Sequence, residues 1–419
     1  MKILYVIPYV PSLIRVRPYN LIKHLSERGH EVTVLTLWSH EEEKEDLNRL
    51  REECYQVRSV YLSRARSMVN CLRAIPTRLP LQSVYCWQPE LAGLLVALAH
   101  QPNGEPAYDI LHIEHLRGVR YGLYYRSNKS KSDKRLPVVW DSVDSISLLF
   151  KQAAVQSKNW VSRWLTRFES RRTDQFEGWL VDQFDHILIT SEQDKQAVLH
   201  GRPDQSGASS ISVLPNGVDL NYFKPDERIT RDPTNLVISG KMSYHANVTM
   251  VHYFIQEIMP LVWKHCPDVK VTVVGKDPPR EIQALGQNPA IHITGTVKDV
   301  RPFLQKATIS VVPILYGAGI QNKVLEAMAC ATPVVSTPQA VSALSTLPGR
   351  DVLVAQGSEQ FARTVLDLLN DPAHQRQLGL AGRRYVETYH RWDNIAAQLE
   401  RIYMQCIETL NGRSSFEMN

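Results

Sequence analysis

Along this chain, short unbroken apolar runs alternate with stretches in which apolar residues return every three or four positions, the pattern of parallel strands covered by helices. Residues 2–8 form the first run. Pro18, Leu21, Ile22 and Leu25 then repeat at helical spacing over 17–28, Gly29 supplies a C-terminal stop, and 31–37 reads as the next strand. Further strands are expected at 109–113, 137–140, 186–190 and 211–214. The turn-rich stretch Pro215-Asn216-Gly217-Val218-Asp219, with Pro225 and Pro233 beyond it, marks a boundary. A second alternating series follows, with strands at 235–239, 269–275, 290–294, 308–313, 333–336 and 351–354 and helices at 358–370, 373–388 and 391–411. The expected fold is α/β, with two Rossmann-like doubly wound domains over 1–220 and 221–390. Such sheets bind ligands at the carboxyl ends of their strands.

Composition narrows the class. A chain of 419 residues exceeds one ordinary core, and 43% hydrophobic with 22% charged residues is the balance of a globular protein. No apolar run is long enough for a membrane span, and the apolar start at 2–8 ends at Pro8 without a cleavage site, so it reads as a strand rather than a leader. Six scattered cysteines form no CxxC and no metal-ligand spacing, which fits reduced thiols in the cytoplasm. A net charge of +5 is too weak to argue for nucleic acid and leaves anionic small molecules or a lipid surface as partners.

The stretch from Val311 to Ala329 carries the sharpest chemistry. A strand ends at Pro313, glycines follow at Gly317 and Gly319, and a helix is expected to open near Ile320. Free amides of a first helical turn make an anion site suited to a diphosphate. Lys323 can add a cationic contact, and Glu326 can accept from two vicinal hydroxyls such as those of a ribose. An ordinary strand–turn–helix with a surface glutamate accounts for the same spacing.

Gly317 through Val335 resembles the donor motif of glycosyltransferase family 4, and Val213 through Asp219 with Phe223 and Pro225 is similar to that family's inter-domain signature. Asp109-Ile110-Leu111-His112, Ser239-Gly240-Lys241, Val273-Val274-Gly275 and Gly295-Thr296-Val297 fall in the family's order. The resemblance implies a GT-B fold, acceptor on the first domain and sugar nucleotide mostly on the second, with the 391–411 helix returning to the first. It also implies a retaining, metal-independent transfer with no cofactor, from a nucleoside diphosphate sugar (UDP favoured over GDP) to a glycan, lipid-linked or small-molecule hydroxyl. By position, Glu326 would hold the ribose, the Gly319 and Ile320 amides the diphosphate, Lys241 the leaving phosphate, and Gly295 and Val297 the base.

The departures are as informative. Ala318 stands where the family carries its first Glu, and Ala246 and Asn247 stand where a second Lys is common. The first loop lacks glycines; there Arg15 or Arg17 either faces a phosphate or is solvated loop charge. His112, Glu114 and His115 crowd the end of the 109–113 strand, and His112 or His115 could face the reacting sugar, or be a satisfied core histidine. Stabilising charge on the leaving diphosphate is the main catalytic task on such a site. Asp144 either binds acceptor hydroxyls or caps the following helix. Trp160, Trp164 and Phe168 form one helical stripe flanked by arginines, which suits either a membrane surface at the inner face or packing on its own domain. A sugar-nucleotide epimerase or hydrolase, or a non-catalytic nucleotide-binding scaffold, are the competing functions.

Overall fold

The computed structural model describes all residues except 13–14, 129–134, 157–159, 203–209 and 417–419, and the side chains of 155–165 and 413–416 are likewise outside the description. Two compact units are present: Met1–Pro215 with Trp392–Asn419, and Asn216–Arg391.

The first unit holds a parallel sheet of β1 (Lys2–Ile7), β2 (Glu31–Trp38), β3 (Gln56–Tyr61), β4 (Ile110–Glu114), β5 (Val138–Val143), β6 (His186–Ile189) and β7 (Ile211–Val213), in the order β3-β2-β1-β4-β5-β6-β7. Alternate residues of β1 feed opposite cores. Leu4 and Val6 join Leu35, Ile113 and Trp140 on one face, while Ile3, Tyr5 and Ile7 join Val34, Val139 and Leu188 on the other. Both faces being covered explains why these strands read as continuous apolar runs. The helix Val16–Glu27 ends where expected: Gly29 takes φ 84, and the amides of Gly29 and His30 turn back onto the Ser26 and Leu25 carbonyls. The last helix, Trp392–Phe416, lays Trp392, Ile395, Leu399, Ile402 and Tyr403 into the second core.

The second unit holds β8 (Asp232–Ser239), β9 (Lys270–Val274), β10 (Ile291–Gly295), β11 (Ala307–Val312), β12 (Val334–Ser336) and β13 (Leu353–Val354), all parallel, in the order β10-β9-β8-β11-β12-β13. The expected doubly wound architecture is thus present in each unit. In each, the strand order reverses beside the first strand, between β1 and β4 and between β8 and β11. At such a reversal the flanking loops part at the carboxyl edge and leave a crevice.

β3 was not expected from sequence. It is an edge strand in which only Val60 is buried, and Arg58 interrupts its apolar pattern. The side chains of Trp160 and Trp164 lie outside the described residues. Phe168 is exposed, with the Arg172 guanidinium 4.8 Å over its ring.

Candidate functional site

In the second unit, the predicted donor residues lie at the carboxyl ends of four neighbouring strands. Gly240 and Lys241 follow β8, Gly275 follows β9, Gly295 ends β10 with Val297 two residues on, and Gly317 to Ile320 follow β11. The loops after β8 and β9 are clamped together: the Gly240 amide donates to the Val274 carbonyl at 3.1 Å and the Met242 amide to the Lys276 carbonyl at 2.8 Å. Gly240 and Gly275 take φ 145 and 156, and a Cβ on Gly275 would stand 1.7 Å from the Gly240 carbonyl oxygen. Only glycine permits this backbone approach.

The turn after β11 is built from within. Tyr316 is buried, its hydroxyl shares a 2.7 Å hydrogen bond with His245 Nδ1, and the two rings stack with centroids 5.4 Å apart. Gly319 takes φ 65, so the chain enters the helix through a left-handed residue. The helix spans Asn322–Ala329 with Gln321 as its cap residue, two positions later than the expected opening at Ile320. The amides of Gly319 and Ile320 donate to no acceptor among the described residues. Ala318, in place of a glutamate, is half-buried and its carbonyl accepts from Gln321 Nε2 at 3.4 Å.

Lys323 bends back toward β8. Its ammonium donates to Asn247 Oδ1 at 2.9 Å and Gln321 Oε1 at 3.1 Å, while Asn247 Nδ2 donates to the Lys241 carbonyl at 2.8 Å. A Cβ on Gly240 would touch both Asn247 and the Lys323 stem. Gly240, Gly275, Asn247 and Lys323 are therefore one packed group at the strand reversal. Lys241 is exposed beside it. Burial pushes the Lys323 ammonium down to about 8 and the Glu326 carboxyl up to about 7, each opposed by the charge of the other. The Glu326 carboxylate makes no hydrogen bond among the described residues. Asn247, Gln321, His245 and Tyr316 were not among the predicted site residues.

The first unit separates the candidates that sequence left together. Arg17 is buried and donates to Asp141 at 2.7 and 2.9 Å and to the Leu214 and Pro215 carbonyls. Arg15 keeps 43% of its side chain exposed, pairs with Glu43 at 3.2 Å and lies over the Tyr9 ring. His112 is fully buried, stacks on Tyr5 at 4.0 Å and shares a 2.6 Å hydrogen bond with Tyr403. Glu114, also fully buried, accepts from Tyr5 at 2.9 Å; burial and the neighbouring Asp141 carboxylate raise its pKa. His112 Nε2, Glu114 and Asp141 lie close enough to hold a cation, but Arg17 already neutralises Asp141.

His115 differs from its neighbours. It takes φ 62 at the carboxyl end of β4 and stays half-buried, a strained position for a non-glycine residue. Burial, reinforced by Arg117, drives its pKa down to about 3, so the ring is neutral. The Arg117 amide donates to Nδ1 at 3.2 Å, which leaves the ring proton on Nε2. At the end of β5, Asp144 accepts from Thr190 at 2.9 Å and is raised to about 7 by burial and then by Asp194. It does not cap the helix Ile146–Gln156. Ser145 does, its hydroxyl oxygen accepting from the Leu148 amide at 3.3 Å, and Glu177 of the next helix adds to it by accepting from the Ile146 and Ser147 amides at 2.8 and 3.4 Å.

Comparison with known proteins agrees with this layout. Residues 15–222 match the sequence family described as Glycosyltransferase Family 4, and residues 233–371 match Glycosyl transferases group 1. Alpha-maltose-1-phosphate synthase of Mycolicibacterium smegmatis is 26% identical over 263 residues, 55% of this chain and 66% of that protein. Just under two thirds of that relative is therefore matched. Sucrose-phosphate synthase from Thermosynechococcus elongatus superposes with a TM-score of 0.70 at 17% identity, covering 98% of this chain and all of that one. Anabaena HepE, solved with UDP and glucose, superposes with a TM-score of 0.66 at 13% identity over 97% of this chain and all of that one. Both likenesses are of fold.

Proposed function

Because the chain belongs to glycosyltransferase family 4, with a GT-B fold, we propose that it transfers a sugar from a nucleoside diphosphate sugar, UDP-linked for preference, to an acceptor hydroxyl with retention and without a metal. The observation that carries this reading is the group at the β8–β11 reversal. There two glycines admit backbone contact, Lys323 supplies positive charge, and Glu326 follows one turn later. The diphosphate would rest on the Gly319 and Ile320 amides with Lys323 beneath and Lys241 in front, while Glu326 accepts from the ribose hydroxyls. Gly295 and Val297 would border the base. Within the first unit, His115 would be the acceptor-side residue, with its ring proton on Nε2, and Arg15 the more exposed of the two arginines, while His112 and Arg17 hold the strands behind them. UDP is the favoured nucleotide in this reading, with GDP as the alternative.

Acceptors in this reading are a glycan, a lipid-linked sugar or a small molecule, and nucleic acid is not among them. The protein works in the cytoplasm, in keeping with six free cysteines, and touches the inner membrane face peripherally. No described helix is long and apolar enough to cross a bilayer.

The experiment is incubation of the purified chain with a panel of sugar nucleotides, with and without acceptors and EDTA. Nucleotide release that requires an acceptor and persists in EDTA is expected. Lys241→Ala and Glu326→Ala should each lower turnover more than about tenfold, ~1.4 kcal/mol in the barrier. Donor interconversion without acceptor, or near-normal rates in both variants, would overturn the assignment.

A further inference from the structure

The helix Arg64–Ala74 is turned inside out. Its buried face carries Ser67, Asn70 and Ala74, whereas Met68, Leu72 and, one turn on, Ile75 project outward with 65%, 62% and 54% exposure. An ordinary surface helix does the reverse. The inversion is held in place. Ser63 caps the helix by accepting from the Arg66 amide, Asn70 donates to the Trp87 carbonyl at 2.8 Å, and Arg172 binds the Ala74, Ile75 and Thr77 carbonyls at the far end.

Charge identifies what would cover this face. Residues 54–89 contain five arginines and no Asp or Glu, and Arg64, Arg73 and Arg78 are exposed around the apolar residues. Glu169, which accepts from the Leu81 amide, is buried and paired with Arg172. Past Leu79 the same surface continues into a cavity of about 560 Å³ lined by Trp87, Tyr124, Phe176 and a 47% exposed Trp179, with Arg120 stacked 4.8 Å over Trp87. Exposed aliphatic groups ringed by arginines, with indoles alongside, match an anionic bilayer surface. A second copy fits poorly, since a self-complementary contact would bring arginines face to face. Eleven residues rise about 16 Å, which suits lying in the headgroup layer and not spanning it.

We propose that this helix is a docking surface for anionic lipid, through which the first unit sits on a membrane. The proposal rests on the peripheral membrane contact in the reading above but uses no residue of the donor site, so loss of vesicle binding and loss of transfer are read separately. It is tested by flotation of the full chain with vesicles of phosphatidylcholine alone or with about a third phosphatidylglycerol. Binding is expected only to the anionic vesicles and should fall in high salt. The triple variant Met68→Ser, Leu72→Ser, Ile75→Ser should lose at least about tenfold in partition while keeping its melting temperature. Equal recovery with both vesicle types, undiminished binding of the variant, or a concentration-dependent dimer that the variant abolishes would each overturn it.

Discussion

Lys323 and Glu326 sit three residues apart on one helix, yet burial moves both toward neutrality, to about 8 and about 7. If the diphosphate needs the ammonium and the ribose needs the carboxylate, activity falls as pH drops through about 7 and again as it rises through about 8. The pH profile of kcat/KM, which reports the free enzyme, should therefore be a narrow bell. Lys323→Arg keeps its charge at all such pH values, so it should flatten the alkaline limb alone. A profile unchanged on that side would remove Lys323 from donor binding. Gly275 tests the backbone directly. Gly275→Ala drives a methyl against the Gly240 carbonyl in a left-handed conformation and should cost about 3 kcal/mol or more, read by urea denaturation, together with donor affinity.

Among the elements, the strands were the most legible in sequence because burial on both faces leaves an unbroken apolar signal. β3 escaped since an edge strand with one buried residue has no such run. The Asn322–Ala329 helix was placed two residues early because Gly319 and Gln321 shape its entry, a matter of backbone angle and capping that glycine content alone does not resolve. The identity of the site's anchors was legible by position, but the Lys323–Asn247 bond was not, joining residues 76 apart in sequence. The start of the Ile146–Gln156 helix is half such a case: the local cap is Ser145, one residue past Asp144, while Glu177 takes two further amides from the next helix. Glu177→Ala would orphan two amides and should cost about 2–4 kcal/mol. Glu177 also titrates near 7 when folded against about 4.3 unfolded, so the native chain binds more protons between those values. Stability should decline as pH rises through that window, Asp144 adding in the same sense, and Glu177→Gln should shallow the slope in thermal melts.

For the molecule as a whole, the consequential fact is that the first unit is discontinuous, closed by the helix that begins at Trp392. That helix buries Trp392, Ile395, Leu399 and Tyr403, and Tyr403 bonds His112. At about 1.5–3 kcal/mol per large apolar side chain, its contribution rivals the 5–15 kcal/mol of a typical domain's net stability. A chain ending at Arg391 should accordingly lose the first unit's cooperative melting transition while the second keeps its own. A surviving first transition would show the helix to be dispensable.

This arrangement also sets a timetable at the ribosome. The early strands emerge first but wait for a helix translated after the whole 216–391 segment, a delay of roughly 10–35 s at ordinary elongation rates. The later-made unit is thus free to fold ahead of the earlier one, and the nascent first sheet, lacking its cover, is the stage at which chaperones would be called upon.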